Sequence, residues 1–428
     1  MSSRHTWVVR GSALLAGLTA AAGLATAAPA AAAEPVRFTT PAPTGDHAIG
    51  TTELHLVDSS RPDPWKPDRR RELMATVTYP ADRHGDGPRA PWLSDAMADT
   101  LDDGLNSPAY LDVPPGSIDW TSAKRHARTG APVSRWGGPR PVVVFSPGFT
   151  VPREFDTVLT DDLASRGYVV VSLSHTYESM AVEFPGGRIE RAPQRELDPA
   201  TMKTAIDARV ADSRFVLDQL TLLAHGVNPD AGHRTLPRGL GRLLDLSRIG
   251  MFGHSYGGFT SGETMYHDRR VDAGINLDGA MASAFGFPEG TPYVPGEVVK
   301  HGLDRPFLLM GSELTDPVTG KPVEHTHANP YDRSWVEFWG NQRGWKRDLL
   351  LRGSAHMGYS DLQAVVPQLA SLVKPEKVRA LIGTIDPRRS VAAQRDYISA
   401  FFDLHLKGRD RHLFDRESPR HPDVGFID

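Results

Sequence analysis

The chain has no cysteine. That absence excludes disulfides, thiol nucleophiles and zinc–thiolate centres, so the fold must rely on its core. An excess of either charge is also missing: 48 Lys and Arg stand against 52 Asp and Glu, both signs are spread along the chain, and the formal net charge is -4. Such a balance argues against a nucleic-acid surface. Beyond the N-terminus no stretch is long and apolar enough to span a bilayer, and no internal repeat is visible.

At the N-terminus, Arg4, His5 and Arg10 precede an Ala-rich apolar segment from about Gly11 to Ala28, and Ala31-Ala32-Ala33 offers small residues before Glu34. This predicts a secretory signal peptide over 1–33 and an exported protein. A membrane anchor fits less well, since the apolar segment is short and built of Ala and Gly rather than Leu and Ile. The roughly 395 residues that follow suffice for one large domain that buries about three quarters of its unfolded surface. We expect an extended Pro- and Thr-rich leader over 34–50, then a single domain over 51–428.

Residues Thr52–Val57 and Glu72–Tyr79 alternate and are rich in strand formers, so they read as an antiparallel pair ended by Pro80. The intervening Arg69-Arg70-Arg71 is expected to be a solvated strand start. From about 81 to 140 the chain carries many Pro, Gly, Asp and Ser around a short helical possibility from Ser94 to Leu105. An insertion this long reads as either a cover over the site or a solvated excursion. Pro141–Phe145 and Tyr168–Leu173 are continuous apolar runs of the kind that form strands buried on both faces, and a helix from about Phe155 to Ser165 joins them. Strand, helix, strand in this order means a right-handed parallel crossover.

Thr201–Leu223 mixes Ile206, Val210, Phe215, Leu217 and Leu220 with Asp207, Arg209, Asp212 and Arg214. It reads as an amphipathic helix whose charges form the wet side, the alternative being an Arg–Asp pair buried beneath the site. Strand candidates recur at Gly274–Leu277, Phe307–Met310 and Asp348–Leu351, and Ala392–Leu406 closes the chain as a helix. The alternation implies an α/β fold with a mostly parallel sheet covered on both faces, with reactive groups gathered at the carboxyl ends of its strands.

One such strand end carries Gly253-His254-Ser255-Tyr256-Gly257. A short apolar run before it and a helix-compatible stretch after it supply the strand–turn–helix setting of a nucleophile elbow, in which side chains at Gly253 and Gly257 would collide with their neighbours. Ser255 is the candidate nucleophile. A serine hydroxyl needs a base, and the base needs a carboxylate to fix its tautomer. In the α/β-hydrolase arrangement these follow in the order Ser, acid, His. Of the seven histidines after the acid candidates begin, His356 alone follows a strand immediately, flanked by small residues in Gly353-Ser354-Ala355-His356-Met357-Gly358. His325-Thr326-His327 looks superficially like a metal pair, but no accompanying cluster completes a site, so a surface loop is expected. For the acid, Asp278 ends the strand after the elbow's helix, while Glu313 and Asp316 follow the next strand; spacing alone leaves these open. Backbone N–H groups of Tyr256, at the helix N-terminus, and Phe149, in the turn after the first buried parallel strand, are the candidate oxyanion donors.

Phe145-Ser146-Pro147-Gly148-Phe149, Gly253-His254-Ser255-Tyr256-Gly257-Gly258, Leu277-Asp278-Gly279 and Gly353-Ser354-Ala355-His356 together resemble the platelet-activating-factor acetylhydrolase family of the plasma and intracellular type II kind, with its bacterial relatives. The resemblance runs from about Leu54 to Leu406, and the 23-residue step from Ser255 to Asp278 agrees with it. It implies an α/β-hydrolase fold, Asp278 as the acid, and hydrolysis of a carboxylic ester without metal or cofactor through an acyl group on Ser255. A phospholipid with a short or oxidatively truncated sn-2 acyl chain is the substrate it implies. The chain departs from the animal enzymes at Pro147, where they carry a histidine. Ser-Pro-Gly-Phe is similar to secreted bacterial polyesterases and lipases of the same superfamily, which makes a broader lipase or polyester hydrolase the alternative. An inactive binding scaffold is the alternative of another class. The expected partner is a small-molecule or lipid ester; no amphipathic docking helix stands out for contact with a lipid surface, and acyl length, head group and oligomeric state have no signature in the sequence.

Overall fold

The computed structural model describes residues 34–83, 85–286, 292–315 and 320–428. The expected signal segment 1–33 and Asp316 lie outside them. Residues Pro35–Asp428 form one compact body.

Its frame is a sheet of β1 (Ile49–Pro62), β2 (Arg70–Pro80), β3 (Arg89–Pro91), β4 (Lys124–Thr129), β5 (Arg140–Ser146), β6 (Val169–Ser174), β7 (Leu244–His254), β8 (Ala273–Leu277), β9 (Phe307–Gly311), β10 (Lys346–Leu351) and β11 (Val424–Ile427). The spatial order is β11-β10-β9-β8-β7-β5-β6-β2-β1-β4-β3. From β6 through β10 every neighbouring pair is parallel, whereas β2 pairs antiparallel with both β1 and β6 and β11 pairs antiparallel with β10. The mostly parallel sheet and the antiparallel β1–β2 pair read from the sequence are both present.

The continuous apolar runs follow from burial on both faces. Successive residues of a strand point to opposite sides, so Val142 and Val144 of β5 join one core with Met251, while Val143 and Phe145 join another with Phe252. After α1 (Asp95–Asn106) in the insertion, helices α3 (Pro199–Ala224), α4 (Tyr256–His267) and α5 (Arg333–Asn341) cover the first side; α2 (Thr157–Ser165) and α6 (Pro387–Lys407) cover the second. The two long helices begin where the sequence signals it: Asp198 and Asp386 cap backbone N–H groups and a proline follows each.

Four expectations need correction. The insertion is not a solvated excursion: β3 and β4 extend the sheet, and Trp92, Met97, Leu101 and Trp120 make a third core. Phe38 of the leader packs edge-on to Trp92 at 5.3 Å, so the leader is docked, and β1 already starts at Ile49. Arg71 is not a solvated strand start but is fully buried. In α3, Asp207 and Arg214 are exposed as expected, yet Arg209 and Asp212 are fully buried. The reason is the same in both places: the partners that neutralise these charges come from distant segments. Among the described residues, no helix is long and apolar enough to cross a membrane.

Candidate active site

At the end of β7 the chain turns sharply. Ser255 has φ 56° and ψ -126°, a strained conformation outside the usual regions. Its N–H donates to the Leu277 carbonyl at 2.8 Å and its own carbonyl accepts from Gly258 N–H at 2.8 Å, which fixes the turn between β8 and α4. The glycines are sterically required: a Cβ on Gly257 would overlap the Ser146 carbonyl, and one on Gly253 would overlap Gly257.

Asp278 sits at the end of β8, also at positive φ (59°), and its N–H donates to the Met310 carbonyl at 2.9 Å. His356 follows β10 in a single turn of 3₁₀ helix. Three strand ends thus bring Ser255, Asp278 and His356 together. His356 Nδ1 lies 2.6 Å from Asp278 Oδ2 and His356 Nε2 lies 2.9 Å from Ser255 Oγ. An ionised carboxylate only accepts, so Nδ1 carries the proton and Nε2 accepts from the serine hydroxyl. The structure joins Asp278 to His356, while Glu313 lies on a neighbouring hairpin, Glu313–Thr315 paired with Pro322–Glu324.

Burial would push the Asp278 carboxyl up. The hydrogen bonds and charges of His325 and His356 outweigh it and hold the group well below the usual carboxylate range. Ser312 adds its N–H at 2.8 Å and its hydroxyl at 2.7 Å. His325 is the residue the sequence reading misplaced. It is buried, not in a surface loop, and its Nδ1 lies 2.8 Å from Asp278 Oδ1 while its Nε2 lies 2.8 Å from Asp332 Oδ2. A usable signal was present: two histidines at alternate positions face two tryptophans one helical turn apart, and His325 stacks on Trp335 and His327 on Trp339.

The turn after β5 runs against Ser255, where a Cβ on Gly148 would lie 3.3 Å from Ser255 Cβ. Arg209 holds this turn from behind. Its guanidinium donates to the carbonyls of Pro147 at 2.6 Å and Gly148 at 3.2 Å, with Glu178 Oε2 on its Nε at 2.6 Å. In a trans peptide the N–H opposes the C=O, so the Phe149 N–H points away from Arg209. Among the described residues neither it nor the Tyr256 N–H, at the first position of α4, has a hydrogen-bond acceptor. Beneath the turn, Ser146 Oγ, His175 and Asp212 repeat a serine–histidine–aspartate chain at 3.0 Å and 3.0 Å. All three are fully buried and Arg71 binds Asp212 through two nitrogens, so this second array meets no substrate. Burial, then the Arg209 charge, pushes the His175 imidazole down to about 4 despite Asp212.

Ser255 opens into a cavity of about 370 Å³ walled by Tyr256, Ala280, Phe285, Leu314 and Tyr331, with none of the insertion residues among its lining. The cluster of described residues with metal-like donor geometry, Asp410, His412 and Asp415, is exposed and includes none of Ser255, Asp278 and His356. The arrangement can activate a hydroxyl for attack on a carbonyl and offers two free backbone donors beside it.

Comparison with known proteins agrees with this geometry. Residues 36–284 match the family described as "Platelet-activating factor acetylhydrolase, isoform II". The chain is 26% identical to a protein of Arthroderma benhamiae named "Probable 1-alkyl-2-acetylglycerophosphocholine esterase", over 91% of this chain and 94% of that one. It is 23% identical to the platelet-activating factor acetylhydrolase of Cavia porcellus, covering 78% and 72%. Among solved structures, the ferulic acid esterase of Streptomyces cinnamoneus is 36% identical with a TM-score of 0.70, covering 91% of this chain and 99% of that one. With its mostly parallel sheet and its nucleophile elbow, the chain belongs to the platelet-activating factor acetylhydrolase, isoform II family and is a carboxylic ester hydrolase of the α/β-hydrolase fold.

Proposed function

We propose that Ser255, Asp278 and His356 are the catalytic triad of an esterase that works through an acyl-enzyme. The single observation behind this reading is the unbroken chain from Asp278 through His356 to Ser255, at 2.6 Å and 2.9 Å. His356 takes the serine proton as Oγ attacks the ester carbonyl, then returns it to the leaving alcohol. In the second half it takes a proton from the water that attacks the acyl carbon and passes it to Ser255 Oγ as the C–Oγ bond breaks, which releases the acid and restores the serine. The N–H groups of Tyr256 and Phe149 receive the oxyanion, aided by the N-terminus of α4.

The substrate we favour is a phospholipid ester with a short or truncated sn-2 acyl chain. The family match and the named relatives support it, and so does a compact, largely apolar cavity. A second reading, an aromatic acyl ester such as a ferulate or an aromatic polyester, is supported by the greater identity to the ferulic acid esterase. Phe285, 53% exposed at the mouth of the cavity, suits transient contact with a lipid surface. Export follows from the N-terminal pattern of Arg4, Arg10 and the Ala-rich run ending at Ala33; N-terminal sequencing of protein collected from the culture medium checks it.

The test combines fluorophosphonate labelling with a substrate panel: a 1-alkyl-2-acetylglycerophosphocholine, a short-chain triglyceride, methyl ferulate and an aromatic polyester. Label on Ser255 and loss of all turnover in Ser255→Ala are expected. Turnover of the ferulate and polyester without the phospholipid would replace the favoured substrate with the second reading, and full activity in Ser255→Ala would end the triad proposal.

A further inference from the structure

The geometry around Asp278 points to a role for two residues outside the triad. We propose that His325 is a positioning residue: an imidazolium clamped between Asp278 and Asp332 that fixes the Asp278 carboxylate on His356 and sets the charge the base faces. This inference rests on the triad reading above.

The protonation state follows from hydrogen-bond chemistry. Both ring nitrogens of His325 lie 2.8 Å from carboxylate oxygens, Asp278 Oδ1 and Asp332 Oδ2. Ionised carboxylates have no proton to donate, so each nitrogen must carry one. A neutral ring would aim a lone pair at one of the two oxygens. The side chain of His325 is only 3% exposed, at the wall of the Ser255 cavity, so little water reaches it to relieve that repulsion. Burial opposes a charged ring, but the hydrogen bond and charge of Asp278, and then those of Asp332, outweigh it and raise the imidazole to about 10. The face of the ring stacks on Trp335 at 4.0 Å, where an aromatic face favours a cation.

The clamp leaves Asp278 no freedom. Oδ1 receives His325 and the Ser312 N–H; Oδ2 receives His356 and the Ser312 hydroxyl. All four acceptor positions are used, so the carboxylate cannot rotate away from the base. Asp332 is held in turn, since its other oxygen accepts the N–H of Ser334 at 2.8 Å and its hydroxyl at 2.6 Å while capping α5. The other ionisable groups packed around the clamp are occupied elsewhere. Asp348 binds the N–H and ring of His327, the Tyr359 hydroxyl donates to the Gly311 carbonyl, and Arg333 pairs with Glu337 on the exposed side of α5. From the other side the buried His254 ring, 4.7 Å from that of His356, is held neutral by burial, so the buried charges that face the base are Asp278, His325 and Asp332. In wild type the last two oppose each other in sign.

Removing either one unbalances the site in a known direction. Asp332→Asn leaves the cation without its counter-charge, which disfavours protonation of the base. His325→Asn keeps an amide donor for Asp278 and removes the cation, while the Asp332 carboxylate keeps its bonds from Ser334; protonation of the base is then favoured. We expect the acidic limb of the pH profile of kcat/KM to move down by about one pH unit in Asp332→Asn and up by about one unit in His325→Asn, the size of effect a nearby full charge has at an effective dielectric near 20. A residue that merely packs would lower activity without moving the limb.

Both measurements use the full chain. Histidine ¹⁵N NMR of the wild-type protein at pH 8.5 should show one ring with both nitrogens protonated, and that signal should vanish in His325→Asn. Two limbs that stay in place, or shift in the same direction, overturn the inference. So does the absence of an imidazolium at pH 8.5, a result that needs no variant to fold. Fluorophosphonate labelling of Ser255 in the same samples separates the two readings: an unlabelled Ser255 sinks the triad, whereas a labelled Ser255 with unmoved limbs sinks the clamp alone.

Discussion

His254 and His356 are bonded to each other: the Nε2–H of His254 donates to the His356 backbone carbonyl at 2.9 Å, with the rings 4.7 Å apart. The residue before Ser255 thus anchors the loop that carries His356. His254 is fully buried, and burial, then the charge of His356, pushes its imidazole down to about 3. It acts as a neutral donor with Nδ1 unprotonated.

Cutting this anchor should loosen the base without removing it. His254→Ala is expected to lower kcat by about 10²-fold, the cost of a misplaced reacting group, with KM nearly unchanged. Steady-state kinetics on a soluble chromogenic ester check it; wild-type kcat would show that the His356 loop holds itself.

The same variant gives a pH signature. Folded His254 stays neutral to about 3, whereas the unfolded ring takes a proton below about 6.5. Its stabilising contribution is therefore complete above 6.5 and is lost as pH falls toward the folded value. The stability difference between wild type and His254→Ala should shrink by about 1.4 kcal/mol per pH unit from pH 6 to 4. Urea unfolding midpoints at pH 7, 6, 5 and 4 measure it.

Asp278→Asn keeps the shape of the site but presents an amide where the His356 Nδ1–H needs an acceptor with full charge. We expect kcat to fall by about 10³- to 10⁴-fold, with Ser255 labelling slowed in parallel, and Glu313→Gln to stay within a few-fold of wild type. The reverse ranking would move the acid to the Glu313 hairpin.

Arg209 serves both stability and the oxyanion turn, and two variants separate these. Arg209→Leu strands Glu178 in the core, which should cost about 3–5 kcal/mol, and frees the Gly148–Phe149 peptide, which should lower kcat by about 10²-fold or more. In Arg209→Leu with Glu178→Leu, the melting temperature should recover most of the loss while kcat does not. Joint recovery would leave Arg209 a purely structural role.

Much of this protein is written locally in its sequence. The elbow is readable because a strained turn needs glycine on both sides of Ser255, a requirement of nearest neighbours. The strands β5, β6 and β8 are readable because burial on two faces demands uninterrupted apolar residues, and the order Ser255, Asp278, His356 follows from the order of strand ends. Buried charge is different. Arg71 meets Asp212 from 141 residues away, Arg209 meets Glu178 from 31, and His325 meets Asp278 from 47. Each of these side chains has the polarity of a surface residue. Only the folded chain supplies the opposite charge that makes burial affordable, so the sequence determined where the reacting groups stand along the chain, and the tertiary structure decided which charges hold them in place.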